Sequence, residues 1–211
     1  PVFNNALAGA AGQSGGDDSY KIERSLRFSE DDDSYLTRTP TTAGNRKTWT
    51  LSFWMKRGKF GTTNRHIFET VGSPEHTGLY TVSNSDALEF RGYTSGFNWR
   101  LTTEAVLRDP SAWYHIVDRA AIYINGVKAP LATASYPSPN VQTNWNNSVQ
   151  HFLGSFHATA SHWDGYLAEV HFVDGQALAP DGVFGEFDTT TGVWNPIEYT
   201  HADTVDYSNN N

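Results

Sequence analysis

Three carboxylates, Asp164, Glu169 and Asp174, lie at equal spacing in the apolar stretch WDGYLAEVHFVDGQAL, residues 163–178. Carboxylate pairs catalyse glycoside hydrolysis, and carboxylates also bind hard metal ions, so the set is a candidate for either chemistry. On one β-strand, Asp164 and Glu169 would face opposite ways because neighbouring side chains alternate. Asp164 and Asp174 would share a face but lie roughly 33 Å apart at about 3.3 Å per residue, whereas a glycosidase pair spans about 5 to 10 Å. This spacing excludes a catalytic pair on a continuous strand.

A structural role explains the same stretch better. Glu169 and His171 would point outward, and each aspartate with the glycine after it would mark a turn at one end of the strand. The side chains predicted to face the core are Tyr166, Ala168, Val170 and Phe172.

A second acidic segment, GEFDTTTG at residues 185–192, resembles part of a catalytic motif. Some retaining glucanases carry Glu-x-Asp-x-x-Glu on one strand face. Glu186 and Asp188 fit the first two positions, but Thr191 occupies the third. Because the acid/base partner is absent, we favour a loop after a strand over a hydrolytic site.

Two groups of side chains carry atoms that can bind metals. EDDDS, residues 30–34, offers hard oxygen ligands; calcium is harder to exclude there, but the segment lacks a glycine-turned loop, so a solvated acidic turn is favoured. Four histidines in the last third show neither H-E-x-x-H nor a tight His-x-His spacing: His151, His157, His162 and His171. We predict no metal site, no catalytic residue and no cofactor.

Aromatic rings occur together with amides in two polar segments, a combination that suits sugars. A pyranose presents an apolar C–H face to a ring and hydroxyl groups to amides. The alternative for each tryptophan, packing in the core or beneath a loop, stays open. The candidate carbohydrate-binding residues are Tyr93, Asn98, Trp99, Asn144 and Trp145, with Phe97, Asn146 and Asn147 beside them.

The elements that would position these residues are β-strands. From residue 47 onward, apolar side chains alternate so that Trp49, Leu51, Phe53 and Met55 share one face of a strand. The pair Asn125-Gly126 predicts a type I′ hairpin, and residues 136–150 read as a long surface loop. Apart from one turn near residues 178–182, no window shows a helical period. Shorter strands are predicted at residues 25–28, 65–71, 78–83, 87–91, 99–103, 113–117, 151–156 and 164–173.

Composition favours one all-β domain with attached ends. The 211 residues include 14% aromatics and no cysteine, and the formal net charge is -8. Without a basic run interleaved with aromatics, we predict no nucleic-acid binding. The start of the chain is neither a signal peptide nor a membrane span, so no membrane insertion is expected. We divide the chain into an N-terminal arm at 1–24, a β-sandwich at 25–200 and a polar tail at 201–211.

The arm is rich in small residues and is expected to order against a partner, although a disordered tail without a role is the alternative. The residues proposed to contact that partner are Val2, Phe3, Asn4, Asn5 and Leu7.

Several motifs resemble the concanavalin A-like (laminin-G-like) domain of phage virion proteins, especially tail-fibre-like proteins of marine cyanophages. The motifs are SLRFSEDDDSYLTRTPTTAGNRKTWTLSFWMKRGKFGT, RDPSAWYHIV, IYINGVK and WDGYLAEVHFVDGQALAPDGVFGEFDTTTGVWNPIEYT. The resemblance implies a jelly-roll β-sandwich of two antiparallel sheets, a lectin-like surface and no catalytic residue. It also implies a structural place on the virion and a homo-oligomer, for which we favour a trimer.

From this resemblance we predict a non-enzymatic virion structural protein, a tail fibre or capsid-surface appendage that contacts host surface glycans. It would be assembled in the host cytoplasm and displayed on the virion surface, joined to other virion proteins through the arm. The alternatives are a capsid decoration protein without glycan binding and a polysaccharide depolymerase. One departure from the family lies at Asp118-Arg119, where WYHIV joins AIYING almost directly; this pair suits a two-residue hairpin poorly, so we suspect that a stretch is absent there.

Overall fold

The computed structural model describes residues 20–72 and 75–200, and within them the chain forms fifteen β-strands and no helix. The proposed arm contacts Val2, Phe3, Asn4, Asn5 and Leu7, and the tail at 201–211, lie outside the described residues. The strands are β1 Leu26–Phe28, β2 Leu36–Arg38, β3 Trp49–Arg57, β4 Arg65–Val71, β5 His76–Thr81, β6 Ala87–Tyr93, β7 Phe97–Val106, β8 Tyr114–Asp118, β9 Ile122–Ile124, β10 Val127–Lys128, β11 Leu131–Ser135, β12 Gln150–Leu153, β13 Gly165–Asp174, β14 Gly185–Phe187 and β15 Trp194–Pro196.

Two large antiparallel sheets form the sandwich. The six-stranded sheet has the order β1-β13-β3-β8-β9-β10, and the seven-stranded sheet has the order β11-β7-β6-β5-β4-β12-β2. A small sheet pairs β14 with β15. The predicted all-β, concanavalin A-like jelly-roll sandwich is confirmed. No helix long and apolar enough to cross a membrane occurs in residues 20–72 and 75–200.

The core fills the space between the inner faces of the two large sheets. On β3, the alternating residues Trp49, Leu51, Phe53 and Met55 all belong to it, as predicted. The other face of β3 is also buried, because Trp54 packs with Ala168 and Trp194 in a second cluster. The strand therefore lies between two apolar layers.

A β-bulge in β13 overturns the predicted alternation of that strand. The pairing of β13 with β3 shifts between Ala168 and His171, and Glu169 adopts a left-handed backbone with φ of 48°. A bulge inserts an extra residue and exchanges the two faces of the strand beyond it. Leu167 and Phe172 consequently pack with the main core, while Ala168 joins the outer cluster. The prediction for Phe172 is correct.

The other three inward assignments on β13 are wrong. Val170 is 37% exposed, Tyr166 is partly exposed beside the Arg27 guanidinium, and Ala168 contacts Trp54 on the outer side. All three lie before or within the bulge, in the part of the strand where Leu167 is the residue that faces the main core.

Two tight hairpins join β8, β9 and β10. Asn125 and Gly126 have φ of 48° and 77°, which fits the predicted turn, since both central residues need a positive φ. Residues 119–121 connect β8 to β9, and Ala120 among them is left-handed with φ of 59°. The connection from β8 to β9 is thus a three-residue loop, whereas the sequence was compared with a two-residue hairpin at Asp118-Arg119.

The chain after β13 crosses the outer face of the six-stranded sheet. Phe184 packs with Val117 and Val173, and Trp194 packs with Trp54. Neither Gly126 nor Gly185 has room for a side chain, because an added Cβ would meet the Trp194 ring at 2.3 Å or 2.5 Å. We call this segment, residues 175–200, the C-terminal strap.

Candidate functional site

The carboxylates of Asp164, Glu169 and Asp174 contact separate parts of the fold. Asp164 is 3% exposed, accepts a hydrogen bond from the Glu30 backbone N–H at 3.3 Å and lies 3.8 Å from an Arg27 nitrogen. Asp174 accepts one from the Asn45 backbone N–H at 2.8 Å, and Glu169 contacts His171 at 3.1 Å. Each carboxylate thus contacts a different partner, which agrees with a structural role for the three side chains.

The acidic segment at 185–192 forms the hairpin of β14 and β15. The Asp188 side chain accepts hydrogen bonds from the backbone N–H groups of Thr190 and Thr191 at 2.9 and 2.6 Å, and these bonds lower its pKa. The carboxylate therefore closes a turn. The favoured interpretation, a loop after a strand, fits this geometry.

The acidic turn at 30–34 is neutralised by basic side chains. Glu30 pairs with Arg65 at 2.8 Å, and this contact holds the pKa of the Glu30 carboxyl below its usual range. Lys59 pairs with Asp31 at 2.6 Å. Among residues 20–72 and 75–200, no three His, Cys, Asp or Glu side chains form a group that could hold a metal ion.

A serine–histidine contact lies beneath the C-terminal strap. Ser52 Oγ is 2.9 Å from His115 Nε2, and the Trp194 indole N–H donates to His115 Nδ1 at 3.1 Å. Burial lowers the pKa of His115 to about 3, so the ring is neutral. Because Nδ1 accepts a hydrogen bond, the proton resides on Nε2 and faces Ser52. His115 therefore cannot take the proton of Ser52, which excludes a nucleophile–base pair.

A small cavity of about 10 Å³ lies beside this contact, close to the volume of one water molecule. Its lining includes Tyr20 and Tyr199 from the two ends of the described chain, together with His171 and Glu169 of β13. Burial raises the pKa of Tyr20 to about 12, with the neighbouring Glu169 carboxylate adding to the shift. The cavity is too small for a sugar.

The two candidate tryptophans are in the core. Trp99 is 2% exposed on β7 and Trp145 is fully buried, and their rings pack on Phe90 at 4.4 and 4.7 Å. The Trp145 indole N–H donates to the Thr77 carbonyl at 2.9 Å. The prediction that these rings form stacking platforms is wrong, because a ligand cannot reach them; the alternative of core packing is confirmed.

The structure does bring the two candidate segments together through Glu75. Asn98 Nδ2 donates to Glu75 Oε2 at 2.8 Å, and Asn144 Nδ2 donates to the Glu75 backbone carbonyl. Asn144 is only 5% exposed, so its amide serves to fix the loop. Asn98 and Tyr93 remain near the surface.

The outer face of the seven-stranded sheet carries two rows of polar side chains across β4 to β7, which we call the polar face. Cross-strand pairing sets both rows. One row consists of His66, Tyr80, Glu89 and Thr102, and the other of Glu69, Gly78, Arg91 and Arg100.

In the first row, Glu89 is the shared acceptor. The Tyr80 hydroxyl and the Thr102 hydroxyl both donate to its carboxylate, Thr102 at 2.6 Å. The His66 ring stacks on Tyr80 with centroids 4.6 Å apart. Burial raises the pKa of Tyr80, so its hydroxyl keeps its proton and stays a donor.

In the second row, Glu69 is completely buried. His66 Nδ1 lies 2.7 Å from Glu69 Oε2, and burial lowers the pKa of His66 despite this carboxylate. A neutral His66 therefore donates its Nδ1–H to Glu69. Gly78 lies opposite, and an added Cβ there would stand 1.9 Å from Glu69 Oε2. The missing side chain makes room for the carboxylate.

Arg91 is enclosed by aromatic rings. Its guanidinium carbon lies 5.0 Å from the Tyr80 centroid, 5.3 Å from that of Tyr93 and 5.9 Å from that of Phe156. These distances are typical of cation–π contacts.

The rim of the polar face is open to solvent. Phe97 is 50% exposed, and its ring meets Tyr93 at 5.4 Å. The Arg100 guanidinium lies 4.4 Å from the Phe97 centroid, and its side chain is 36% exposed. Flat apolar surface and cationic donors thus stand side by side.

Part of this face is predicted from the sequence. Tyr93 is among the candidate residues and Phe97 lies beside them, whereas Arg91 and Arg100 are not among the candidates. Strand alternation was the available signal, because ALEFRGY places Glu89, Arg91 and Tyr93 on one side of β6.

Comparison with known proteins identifies the family. Residues 29–183 match the model of the concanavalin A-like lectin/glucanases superfamily, of laminin-G type, and the chain belongs to this family. No curated protein sequence matches the chain significantly.

Solved structures share the fold at low sequence identity. Domains LG4-5 of the mouse laminin alpha1 chain align with a TM-score of 0.52 and 13% identity, covering 77% of this chain and 45% of that one. Tailspike protein 2 of the Escherichia coli O157:H7 bacteriophage CAB120 aligns with a TM-score of 0.51 and 15% identity, covering 72% of this chain and 23% of that one. This chain therefore corresponds to less than half of either structure.

Proposed function

We propose that the chain is a non-enzymatic, glycan-binding module of a phage virion and that the rim of the polar face is its sugar site. The observation that carries the binding is the exposed Phe97 ring, with Tyr93 at its edge and the Arg100 guanidinium over it. A pyranose can lie on such a ring while its hydroxyls bond to Asn98 and to the guanidinium. The lectin-like fold of the family supports this use of the surface.

The virion part of the proposal is supported by the motifs at 163–200 and their resemblance to tail-fibre-like proteins. In this proposal the copies form a homo-oligomer, with a trimer favoured, on the surface of a virion assembled in the host cytoplasm. The arm at 1–24 joins them to other virion proteins. The domain contacts host surface polysaccharide and does not cleave it.

The sugar site is tested with a glycan array and the variant Phe97→Ala. We expect binding of the unaltered protein, and roughly fivefold weaker binding by the variant, since an aromatic contact contributes about 1 kcal/mol. Phe187→Ala is the matched control, because Phe187 is 41% exposed on the separate small sheet. A glycan that binds both variants equally well contradicts the placement of the site.

The virion role is tested by mass spectrometry and antibody labelling of purified particles. We expect symmetry-related copies in stoichiometric amounts; protein found only in the lysate of infected cells contradicts the role. Particles that contain a protein without any glycan ligand indicate a decoration protein instead. Release of reducing ends from a bound glycan indicates a depolymerase.

A further inference from the structure

The polar face holds a largely buried arginine, Arg91, whose donors meet no acceptor among residues 20–72 and 75–200. The Arg91 side chain is 9% exposed, and within the described residues it donates no hydrogen bond. Its closest acidic atom is Glu69 Oε2 at 3.7 Å, which is beyond hydrogen-bonding range. A guanidinium carries five N–H donors, and leaving them unpaired in a largely buried position is unfavourable.

The carboxylates nearest to Arg91 and Arg100 are already engaged. Glu69 is held by His66 at 2.7 Å, and Glu89 accepts the hydroxyls of Tyr80 and Thr102. Arg91 is not sealed off either: Nε of Arg57 is fully buried without a partner, whereas no nitrogen of Arg91 is in that state. An acceptor from outside can therefore reach donors that the protein itself leaves free.

A second arginine, Arg100, is the cross-strand partner of Arg91. Arg91 and Arg100 are directly opposite each other on neighbouring strands, an arrangement that is unfavourable for like charges. Among the residues that the structure describes, the one counter-charge of Arg100 is the distant Glu89 Oε2 at 3.9 Å. An anion held by both guanidinium groups removes this repulsion.

We infer that the ligand of the polar face is an acidic glycan and that Arg91, with Arg100 beside it, binds a sugar carboxylate. The planar fork of a guanidinium matches a carboxylate with two parallel hydrogen bonds. The Phe97 ring, on which the sugar would lie, is 5.4 Å from Tyr93, and Tyr93 is 5.3 Å from the Arg91 guanidinium. One sugar residue can contact all three groups. The inference rests on the proposed glycan binding and specifies its chemistry.

The test measures affinity for matched pairs of oligosaccharides from polygalacturonate, alginate and hyaluronan, each compared with its carboxyl-reduced, neutral form. Sialyllactose and lactose provide a fourth pair. We expect the unaltered protein to bind the acidic member of at least one pair tenfold or more tightly than the neutral member. Arg91→Gln should abolish this preference, and Arg91→Lys should restore only part of it. Arg27→Gln is the control, because Arg27 is an exposed arginine of the six-stranded sheet.

The outcomes separate the two proposals. Equal affinity for both members of every pair, or binding of neutral glycans alone, overturns the acidic ligand and leaves glycan binding intact. An unchanged preference in Arg91→Gln overturns the role of Arg91. Binding of no glycan, acidic or neutral, contradicts the proposed function itself. The comparison of pairs uses the unaltered protein, so it holds even if a variant folds poorly, which thermal unfolding reports.

Discussion

The outer faces of the two large sheets carry similar side chains but are covered differently. On the six-stranded sheet, the C-terminal strap lays Trp194 over His115 and Trp54, and a cavity of about 10 Å³ lies beside them. On the seven-stranded sheet, Phe156 lies against His66 and Arg91, while Phe97 and Arg100 are open to solvent. Histidines and aromatic rings therefore occur on both faces, and the two faces differ in the segment that covers them.

The largest contrast between the two faces is expected from removing one aromatic ring on each. Trp194→Ala should lower the free energy of unfolding by about 3–5 kcal/mol, because a buried ring leaves a cavity and His115 loses its donor. Phe97→Ala should change it by about 0.5 kcal/mol or less. Urea denaturation of both variants measures the two losses of unfolding free energy. A loss for Trp194→Ala as small as that for Phe97→Ala would show that the strap does not stabilise the sheet.

Acid should weaken the covered face through His115. The pKa of His115 is about 3 in the folded protein, against 6.5 for an unperturbed histidine. The unfolded chain therefore takes up a proton at a higher pH than the folded protein does. This contribution to stability is complete above about pH 6.5 and is lost as the pH falls towards 3. Between pH 7 and pH 5 the loss should be about 2 kcal/mol from this group.

The variant His115→Gln isolates that effect. At pH 7 the variant should be less stable than the unaltered protein, because the Trp194 indole N–H loses its acceptor, His115 Nδ1. Its free energy of unfolding should, however, fall less steeply as the pH is lowered. His151, His171 and His66 also have lowered pKa values, so part of the slope should remain. Parallel curves for variant and unaltered protein would contradict the assignment to His115.

A smaller effect than at Trp194 or His115 is expected inside the polar face, at Gly78. Gly78→Ala places a Cβ against the Glu69 carboxylate, which His66 holds in place, and should cost about 1.5 kcal/mol. The double variant Gly78→Ala with Glu69→Ala should lose less than the sum of the two single losses. Strict additivity in a double-mutant cycle would show that the two residues do not share this space.

Much of the fold could be predicted because alternation is a local signal. Strand β3 follows it closely, and Asn125-Gly126 marks its turn by backbone conformation alone. The bulge at Glu169 could not be predicted, because YLAEVHF contains no Gly, Asn or Asp to signal a left-handed residue. One residue in an unusual conformation then reversed three inward assignments.

The site was harder to predict because burial depends on distant segments. Trp99 sits beside polar residues in sequence, yet Gly92 across the strand pair gives its ring space in the core. Arg91 shows the opposite case: alternation places it on the outer face, but its enclosure depends on Phe156, which follows far along the chain. Side-chain type was therefore the basis for proposing sugar binding, whereas packing decides which of the candidate side chains are exposed.

Tyr20 and Tyr199, at the two ends of the described residues, line the same small cavity. Both ends of the described chain meet at β13, on the side of the sandwich that faces away from Arg91 and Phe97. In the proposed virion role, an attachment through either of these neighbouring ends would hold the domain on its covered side. The polar face would then lie on the side of the domain opposite to that proposed attachment.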